Sequence, residues 1–278
     1  MKFTKMQGAG NDFVIINNMT EKIPFQEMGS IAKKICARRI SVGADGVMFV
    51  EKPEHDADYR MLFFNADGSM GEMCGNGARC IARYGYENGL AGEQICIETT
   101  AGPVYARRES RQIYTIRMND ITQLDIGNTA VFQRKSYPYA YVELGSPGLP
   151  HVVVPIPGLS DTDPESLRSL GMFFRYHEKF PKGANVNFYD ITGPNELQEL
   201  TYERGVEDFT FACGTGTCAT AAVLTLQKQI SGKDVKVHVP GGLLTVSLTA
   251  LEDHVENIYL TGPTLIVAEG DLIEALDC

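Results

Sequence analysis

Two short segments could do chemistry together: Cys74-Gly75-Asn76-Gly77 and Cys213-Gly214-Thr215-Gly216. A helix that starts at such a turn leaves its first backbone N–H groups without partners. With the helix dipole, those groups favour an anion. Glycines let the backbone close up on a ligand. Each turn is therefore a nest for a carboxylate or phosphate with a thiol on its rim. The same field is expected to lower the thiol pKa from about 8.5 toward neutrality. One such turn alone reads either as a nucleophile or as a bend holding a buried cysteine. Two, related by duplication, predict thiols facing each other across a cleft. Facing thiols suit a proton swap at a stereocentre: a thiolate removes the Cα proton from one side and a thiol returns one from the other. General acid–base work of this kind needs both groups poised near the operating pH. The nests would hold the substrate carboxylate and the charge that builds on it. The scheme needs no metal and no cofactor.

The elements that must carry these turns show in the apolar patterning. Alternation predicts strands at Asp12–Asn17, Gly46–Val50, Tyr59–Asn65, Ile95–Thr99, Val104–Arg108, Ile113–Met118, Ala140–Leu144, Val152–Pro155, Asn185–Asp190, Glu196–Tyr202, Val235–Val239, Leu243–Leu248 and Asn257–Thr261. Helices are expected at Gln26–Arg38, Ala78–Asn88, Asp163–Leu170 and Ala219–Gln229, the last with a buried stripe of Ala219, Ala222, Val223 and Leu226. In each half a Cys-Gly-x-Gly turn opens a helix, a strand follows, then a glycine and a second strand. Cys74 and Cys213 lie 139 residues apart, as do Gly102 and Gly241, and 139 is half of the 278-residue chain. The expected fold is α+β (α/β-type), with two pseudo-symmetric domains from an internal duplication. Each would be a mostly antiparallel sheet wrapped around a central helix that starts at its Cys-Gly-x-Gly turn. The domains are expected at residues 1–118 and 119–265, joined near Asn119–Asp125, with the tail at about 266–278 packing back on the first.

Composition narrows the partners. The net charge is -10 and the isoelectric point about 5.0. Such a surface repels phosphate backbones and anionic membrane faces, which argues against nucleic acid and membrane partners. No apolar run approaches the roughly 18–20 residues that span a bilayer, and the start reads as a first strand rather than a signal peptide. The seven cysteines, Cys36, Cys74, Cys80, Cys96, Cys213, Cys218 and Cys278, are odd in number and irregular in spacing. That is not a disulfide framework and gives no zinc spacing. Free thiols in a reducing cytoplasm fit best. All but Cys74 and Cys213 read as ordinary packing residues.

At these residues the chain resembles the diaminopimelate epimerase family of cofactor-independent, two-cysteine enzymes. The resemblance runs over nearly the whole chain. It rests on Gln7-Gly8-Ala9-Gly10-Asn11-Asp12-Phe13, on Gly43-Ala44-Asp45-Gly46, on the block from Asn65 to Cys80 and on the block from Glu203 to Gly216. Gly148-Leu149-Pro150-His151 and Asn185-Val186-Asn187-Phe188 add to it. It implies Cys74 and Cys213 as the acid–base pair. It implies that Gly75, Asn76, Gly214 and Thr215 present N–H groups to the reacting carboxylate, with Asn11 lining the pocket. Asn65, Asn185 and Arg204 would hold a distal carboxylate, with Glu203 near amino groups. His151 and Glu203 would tune the thiols. The resemblance also implies a homodimer acting on a small-molecule amino-acid substrate.

Each position has a plainer alternative. Asn65 and Asn11 could serve turns, Arg204 could form a surface ion pair with Glu203, and His151 could be a buried structural histidine. Two departures bear on the substrate. The position before Pro-His, often Asn in the family, is Leu149, and Phe209 stands in the second block where many members carry Glu. Together with Gly46 they are the candidate specificity positions. A Leu in place of a hydrogen-bonding group weakens discrimination for a polar distal group. The first expectation is epimerisation of L,L- to meso-diaminopimelate, in lysine and cell-wall precursor synthesis. The alternative is a racemase or epimerase of another amino acid, such as histidine or a lanthionine-type analogue. A third is a protein that binds a carboxylated metabolite without turnover.

Overall fold

Residues 1–71 and 75–273 are described by the computed structural model, a mixed α/β protein. Two units divide it: Met1–Ile116 with Gly262–Cys278, and Arg117–Thr261. The first unit begins with β1 (Lys2–Gly8), β2 (Asn11–Asn17), α1 (Asn18–Glu21), α2 (Phe25–Cys36), β3 (Gly46–Glu51), β4 (Tyr59–Asn65) and β5 (Met70–Gly71). It continues with α3 (Gly75–Glu87), β6 (Gln94–Thr99), β7 (Gly102–Arg108) and β8 (Ile113–Arg117). The second unit runs β9 (Ile121–Phe132), β10 (Lys135–Leu144), β11 (Leu149–Pro155), α4 (Pro164–Arg175), β12 (Asn185–Gly193), β13 (Glu196–Glu203) and β14 (Asp208–Thr210). Then come α5 (Gly214–Leu226), β15 (Val235–Val239), β16 (Gly242–Ala250) and β17 (Val255–Pro263). The last strand, β18 (Leu265–Asp271), returns to the first unit and pairs antiparallel with β1, Lys2 opposite Asp271.

The first sheet runs β18–β1–β2–β3–β4–β6–β7–β8, with β5 beside β4. Its β2–β3 and β4–β6 steps are parallel and the others antiparallel. The second runs β9–β10–β11–β12–β13–β15–β16–β17, with β14 beside β13. Its β11–β12 and β13–β15 steps are parallel. The sequence of parallel and antiparallel steps is thus the same in the two units.

Helices on both faces explain why the middle strands read as continuous apolar runs rather than clean alternations. In the first unit α2 buries Met28, Ala32, Ile35 and Cys36 against Val14, Ile16, Val47, Phe49, Leu62 and Phe64. The alternate strand residues Phe13, Ile15, Met48 and Met61 are buried on the other face. The Tyr59 hydroxyl donates to the Ile81 carbonyl of α3 at 2.8 Å, which ties that helix to β4. In the second unit α4 starts as Asp-Pro predicts: the Asp163 carboxylate accepts from the Glu165 N–H at 3.1 Å and Pro164 takes the first turn. It packs Leu167, Leu170 and Phe174 on Val152, Val154, Val186 and Phe188.

Three expectations change. Helix α5 starts at Gly214, at its Cys-Gly-Thr-Gly turn as the fold reading expected and five residues before the start given by the apolar stripe, and it carries no single stripe. Gly214 and Gly216 through Thr225 are buried all round, while Leu226 is only half-buried. A helix enclosed by strands needs no polar face. The hairpin glycine of the second half is Gly242 (φ 129°), not Gly241; it pairs with Val239 as Gly102 (φ 106°) pairs with Thr99. One residue has been added between Cys213 and that hairpin. Finally, β9 and β18 are strands where none was expected. Among the described residues no helix is long and apolar enough to cross a membrane.

Candidate active site

The second unit brings a set of polar side chains to the face of its sheet that carries α5. Residues alternate faces along a strand, so Leu149 and His151 on β11, Asn185 and Asn187 on β12, and Glu199, Thr201 and Glu203 on β13 share that face. His151 stands beside Asn185, and Asn187 beside Thr201. Cys213 is the N-cap residue of α5, with an extended backbone (φ -115°, ψ 101°), and is buried. Its carbonyl accepts from the Thr217 N–H at 2.9 Å, which closes the first turn. Its Sγ lies 3.5 Å from the Thr215 hydroxyl and takes a hydrogen bond from the Gly216 N–H. Gly216 has no room for a side chain, since a Cβ there would meet Asn187 Oδ1 at 2.1 Å. The glycine pattern thus lets the helix start settle directly on the polar floor of the sheet.

The electrostatics of Cys213 correct the expectation of a lowered thiol pKa. Burial and the nearby Glu203 carboxylate push the thiol well up, against the smaller pull of Thr215 and the Gly216 N–H. Desolvation outweighs the helix start, and Cys213 rests as a protonated thiol.

His151 is fully buried. Burial, then the charge of Arg204, lowers its pKa to about 3, so the ring is neutral. The Asn187 amide donates to His151 Nδ1 and to the Val152 carbonyl, both at 3.3 Å, and its oxygen accepts from Thr201 at 3.0 Å. With Nδ1 accepting, the ring proton sits on Nε2, which has no hydrogen-bond partner among the described residues. Asn187 was not singled out from the sequence, yet it holds the histidine and abuts the helix start. The signal was its place two residues after Asn185, hence on the same face.

Asn185 and Arg204 are brought together. The Arg204 N–H donates to Asn185 Oδ1 at 2.9 Å, and the Asn185 amide donates to the Pro150 carbonyl at 3.3 Å. The Arg204 guanidinium donates to the Lys182 carbonyl at 3.0 Å. Leu149 shares the site face with His151. Phe209, a candidate specificity position, does not lie on the face that carries the thiol. It sits opposite Tyr202 on β14, and its ring meets Tyr202 edge-on at 5.5 Å and Phe188 at 6.4 Å, within the aromatic core beneath α4. The two-residue period puts Asp208 and Thr210, not Phe209, on the face of Glu203.

In the first unit, Cys74 lies outside the described residues, as does Cys278. Gly75 and Asn76 form the first turn of α3. The Asn76 amide donates to Asn11 Oδ1 at 2.5 Å, and the Asn11 amide donates to Asp45 Oδ2 at 3.0 Å. Fully buried Arg79 donates to Asn76 Oδ1 at 2.7 Å and to the Gly75 carbonyl at 3.2 Å. Asp12 holds the base of this chain with Lys5 at 2.7 Å and Arg38 at 2.6 Å. Burial works to raise its pKa, but those two cations hold it below the usual carboxylate range. Asn11 is therefore fixed at both ends of its amide. Asp45 and Arg79 are the parts that sequence reasoning missed; both stood inside quoted motifs.

Two candidates have plainer surroundings. Asn65 donates its amide to the Ser69 hydroxyl at 3.0 Å, and its N–H and carbonyl close the turn to Ser69 and Gly68. Gly46 is required by packing: a Cβ there would fall 2.4 Å from the Phe63 ring. Among the described residues, no group of three or more His, Cys, Asp or Glu is placed to hold a metal.

A thiol at a helix start, beside a carboxylate and N–H donors, has the chemical parts that acid–base work needs. The diaminopimelate epimerase family model matches residues 3–119 and 145–267. Proteins described as diaminopimelate epimerase from Aquifex aeolicus (strain VF5) and Moorella thermoacetica are 36% and 37% identical to it. The first alignment covers 99% of this chain and 98% of that protein, the second 98% and 99%. Solved structures repeat the fold. A probable proline racemase from Agrobacterium radiobacter K84 superposes with a TM-score of 0.69 at 18% identity, covering 99% of this chain and 93% of that one. A hydroxyproline epimerase from Agrobacterium vitis gives 0.67 at 16%, covering 97% and 91%. Fold and site thus define an amino-acid epimerase. The chain belongs to the diaminopimelate epimerase family.

Proposed function

We propose that this protein epimerises L,L-diaminopimelate to the meso form by a two-thiol proton swap, without pyridoxal phosphate. The observation that carries the reading is Cys213, a buried thiol at a helix start with the Thr215 hydroxyl and the Gly216 N–H on its sulfur. Cys74, at the matching Cys-Gly-x-Gly segment of the sequence, is the proposed source of the other sulfur. A thiolate takes the Cα proton, the electron pair moves toward the carboxylate, and a thiol on the opposite side gives up its proton to Cα. One thiol and one thiolate remain, with roles exchanged. Cys213 rests protonated, the state of the proton donor.

The N–H groups of Gly75, Asn76, Gly214 and Thr215 receive the reacting carboxylate. Asn65, Asn185 and Arg204 receive the distal one. Glu203 serves an amino group, and neutral His151 donates from Nε2. The two units are read as products of one duplication, which their matching order of parallel and antiparallel steps supports. The protein is proposed to act as a homodimer in the cytoplasm.

The test is deuterium uptake at Cα from D2O, with L,L- and meso-diaminopimelate and a panel of other amino acids. Uptake confined to diaminopimelate is expected, with a loss of about 10²- to 10⁴-fold in both Cys74→Ala and Cys213→Ala. Wild-type turnover in either variant sinks the two-thiol mechanism. Leu149, on the site face, favours the second reading, an epimerase of another amino acid; exchange with that substrate in place of diaminopimelate would establish it. Phe209, in the aromatic core, gives it no support.

A further inference from the structure

Beneath α5 lies a carboxyl group that the proton swap does not use. Glu199 on β13 is fully buried. It accepts from the Thr217 hydroxyl at 2.6 Å and the Thr220 hydroxyl at 2.6 Å, one oxygen for each. Both threonines are themselves fully buried on α5. Thr217 is also the residue whose N–H closes the first turn on the Cys213 carbonyl, at 2.9 Å. One carboxyl thus grips the start of the helix that carries the thiol. We propose that Glu199 is a positioning residue for Cys213, fastening the first two turns of α5 to the sheet and placing a protonatable group under the thiol. The proposal rests on Cys213 being an acid–base thiol of the reaction.

The surroundings decide how that carboxyl acts. Tyr189 stands opposite it on β12, and Glu203 lies farther along β13. Cys213 and Cys218 come from α5, neutral His151 from β11, and Asp208, held by Arg168, from β14. The inward residues of β15 are Val235, Val237 and Val239, while Lys236 and His238 lie on its other side. β16 contributes Leu244, Val246 and Leu248. Among the described residues no cation is placed to neutralise Glu199. Burial raises its pKa to about 7, against the pull of the two threonine hydroxyls. Its charge therefore appears within the working range of an acid–base thiol. Once ionised it opposes a thiolate at Cys213, and it is among the groups that push that thiol up. Protonated, it keeps the grip on Thr217 and Thr220 without the charge.

The test is the pH profile of Cys213 alkylation by iodoacetamide, read on the Cys213 peptide by mass spectrometry, in the full-length wild type and Glu199→Gln. Gln retains a hydrogen-bonding head and loses the charge. The expected result is that Cys213 of the variant reacts roughly three- to tenfold faster at pH 8, and that the inflection near pH 7 disappears. Thr217→Val, which removes one hydrogen bond from the carboxylate and keeps its charge, is expected to move the inflection to higher pH. It also serves if the Gln variant fails to fold. Profiles that superimpose on wild type in the folded variants overturn the proposal, since a purely structural role leaves the thiol chemistry unmoved. The readout needs no turnover, so an active Cys213→Ala would sink the two-thiol reading and leave this comparison standing.

Discussion

A thiol pushed up by burial and by Glu203 is a poor nucleophile in the resting protein. Cys213 is therefore expected to alkylate more slowly at pH 7 than partly exposed Cys96, by peptide-resolved mass spectrometry. The sequence pointed to the right residue type at a helix start and to the wrong direction of its pKa shift. Helix-start N–H groups are legible in a Cys-Gly-x-Gly turn; the depth at which the fold buries the sulfur is not. Asn187 shows a related limit. Its importance comes from what it touches, His151 Nδ1 on one side and Thr201 on the other. Asn187→Leu leaves the histidine acceptor and the threonine donor buried without their partner. It should cost about 1–3 kcal/mol per orphaned group in urea unfolding. Phe209 misled for the opposite reason: it sits in a site motif, but strand alternation turns it into the core.

At the scale of elements, β13 and α5 act as one piece through Glu199. The folded-state pKa of that carboxyl, about 7, lies above its ordinary 4.5, so the folded protein holds an extra proton between those values. Stability from this group is then full below about pH 4.5 and falls as pH rises toward 7, by about 3 kcal/mol. His151 works the other way. Its pKa falls from 6.5 to about 3, so its contribution is full above 6.5 and is lost as the solution is acidified. Over pH 5–8 the two therefore nearly cancel, so urea unfolding should show wild-type stability close to level and Glu199→Gln stability rising toward neutrality by about 2 kcal/mol, the His151 contribution alone. Tyr59–Asn65, buried along most of its length, and Val235–Val239, which alternates buried valines with Lys236 and His238, were legible to the residue. β9 and β18 were not, because most of their side chains are exposed or half-buried. Backbone pairing makes them strands, and pairing leaves no mark on the apolar pattern.

At the scale of the molecule, the glycine-rich turns and their spacing exposed two halves before any coordinates did. The halves are not cut from the chain in the same way, in keeping with the expected return of the tail at about 266–278 to the first domain. The second unit is one continuous run, Arg117–Thr261, while the first needs β18 from the far end to flank β1. A chain cut after Thr264 loses that strand and uncovers the edge of β1. It is expected to lose the cooperative unfolding of the first unit and to aggregate, with the second unit keeping its own transition in calorimetry.

The pairing of Lys2 with Asp271 also sets an order of events during synthesis. A ribosome delivers the chain from its amino end, and units fold as they become complete. Residues 1–116 emerge before the second unit yet wait for a strand that is made after it. The second unit, encoded later, is whole as soon as Thr261 clears the exit tunnel. Chains tethered to the ribosome through an added C-terminal linker, so that Thr261 has emerged while Leu265–Asp271 has not, should therefore carry a protease-resistant second unit beside a first unit still open to cleavage.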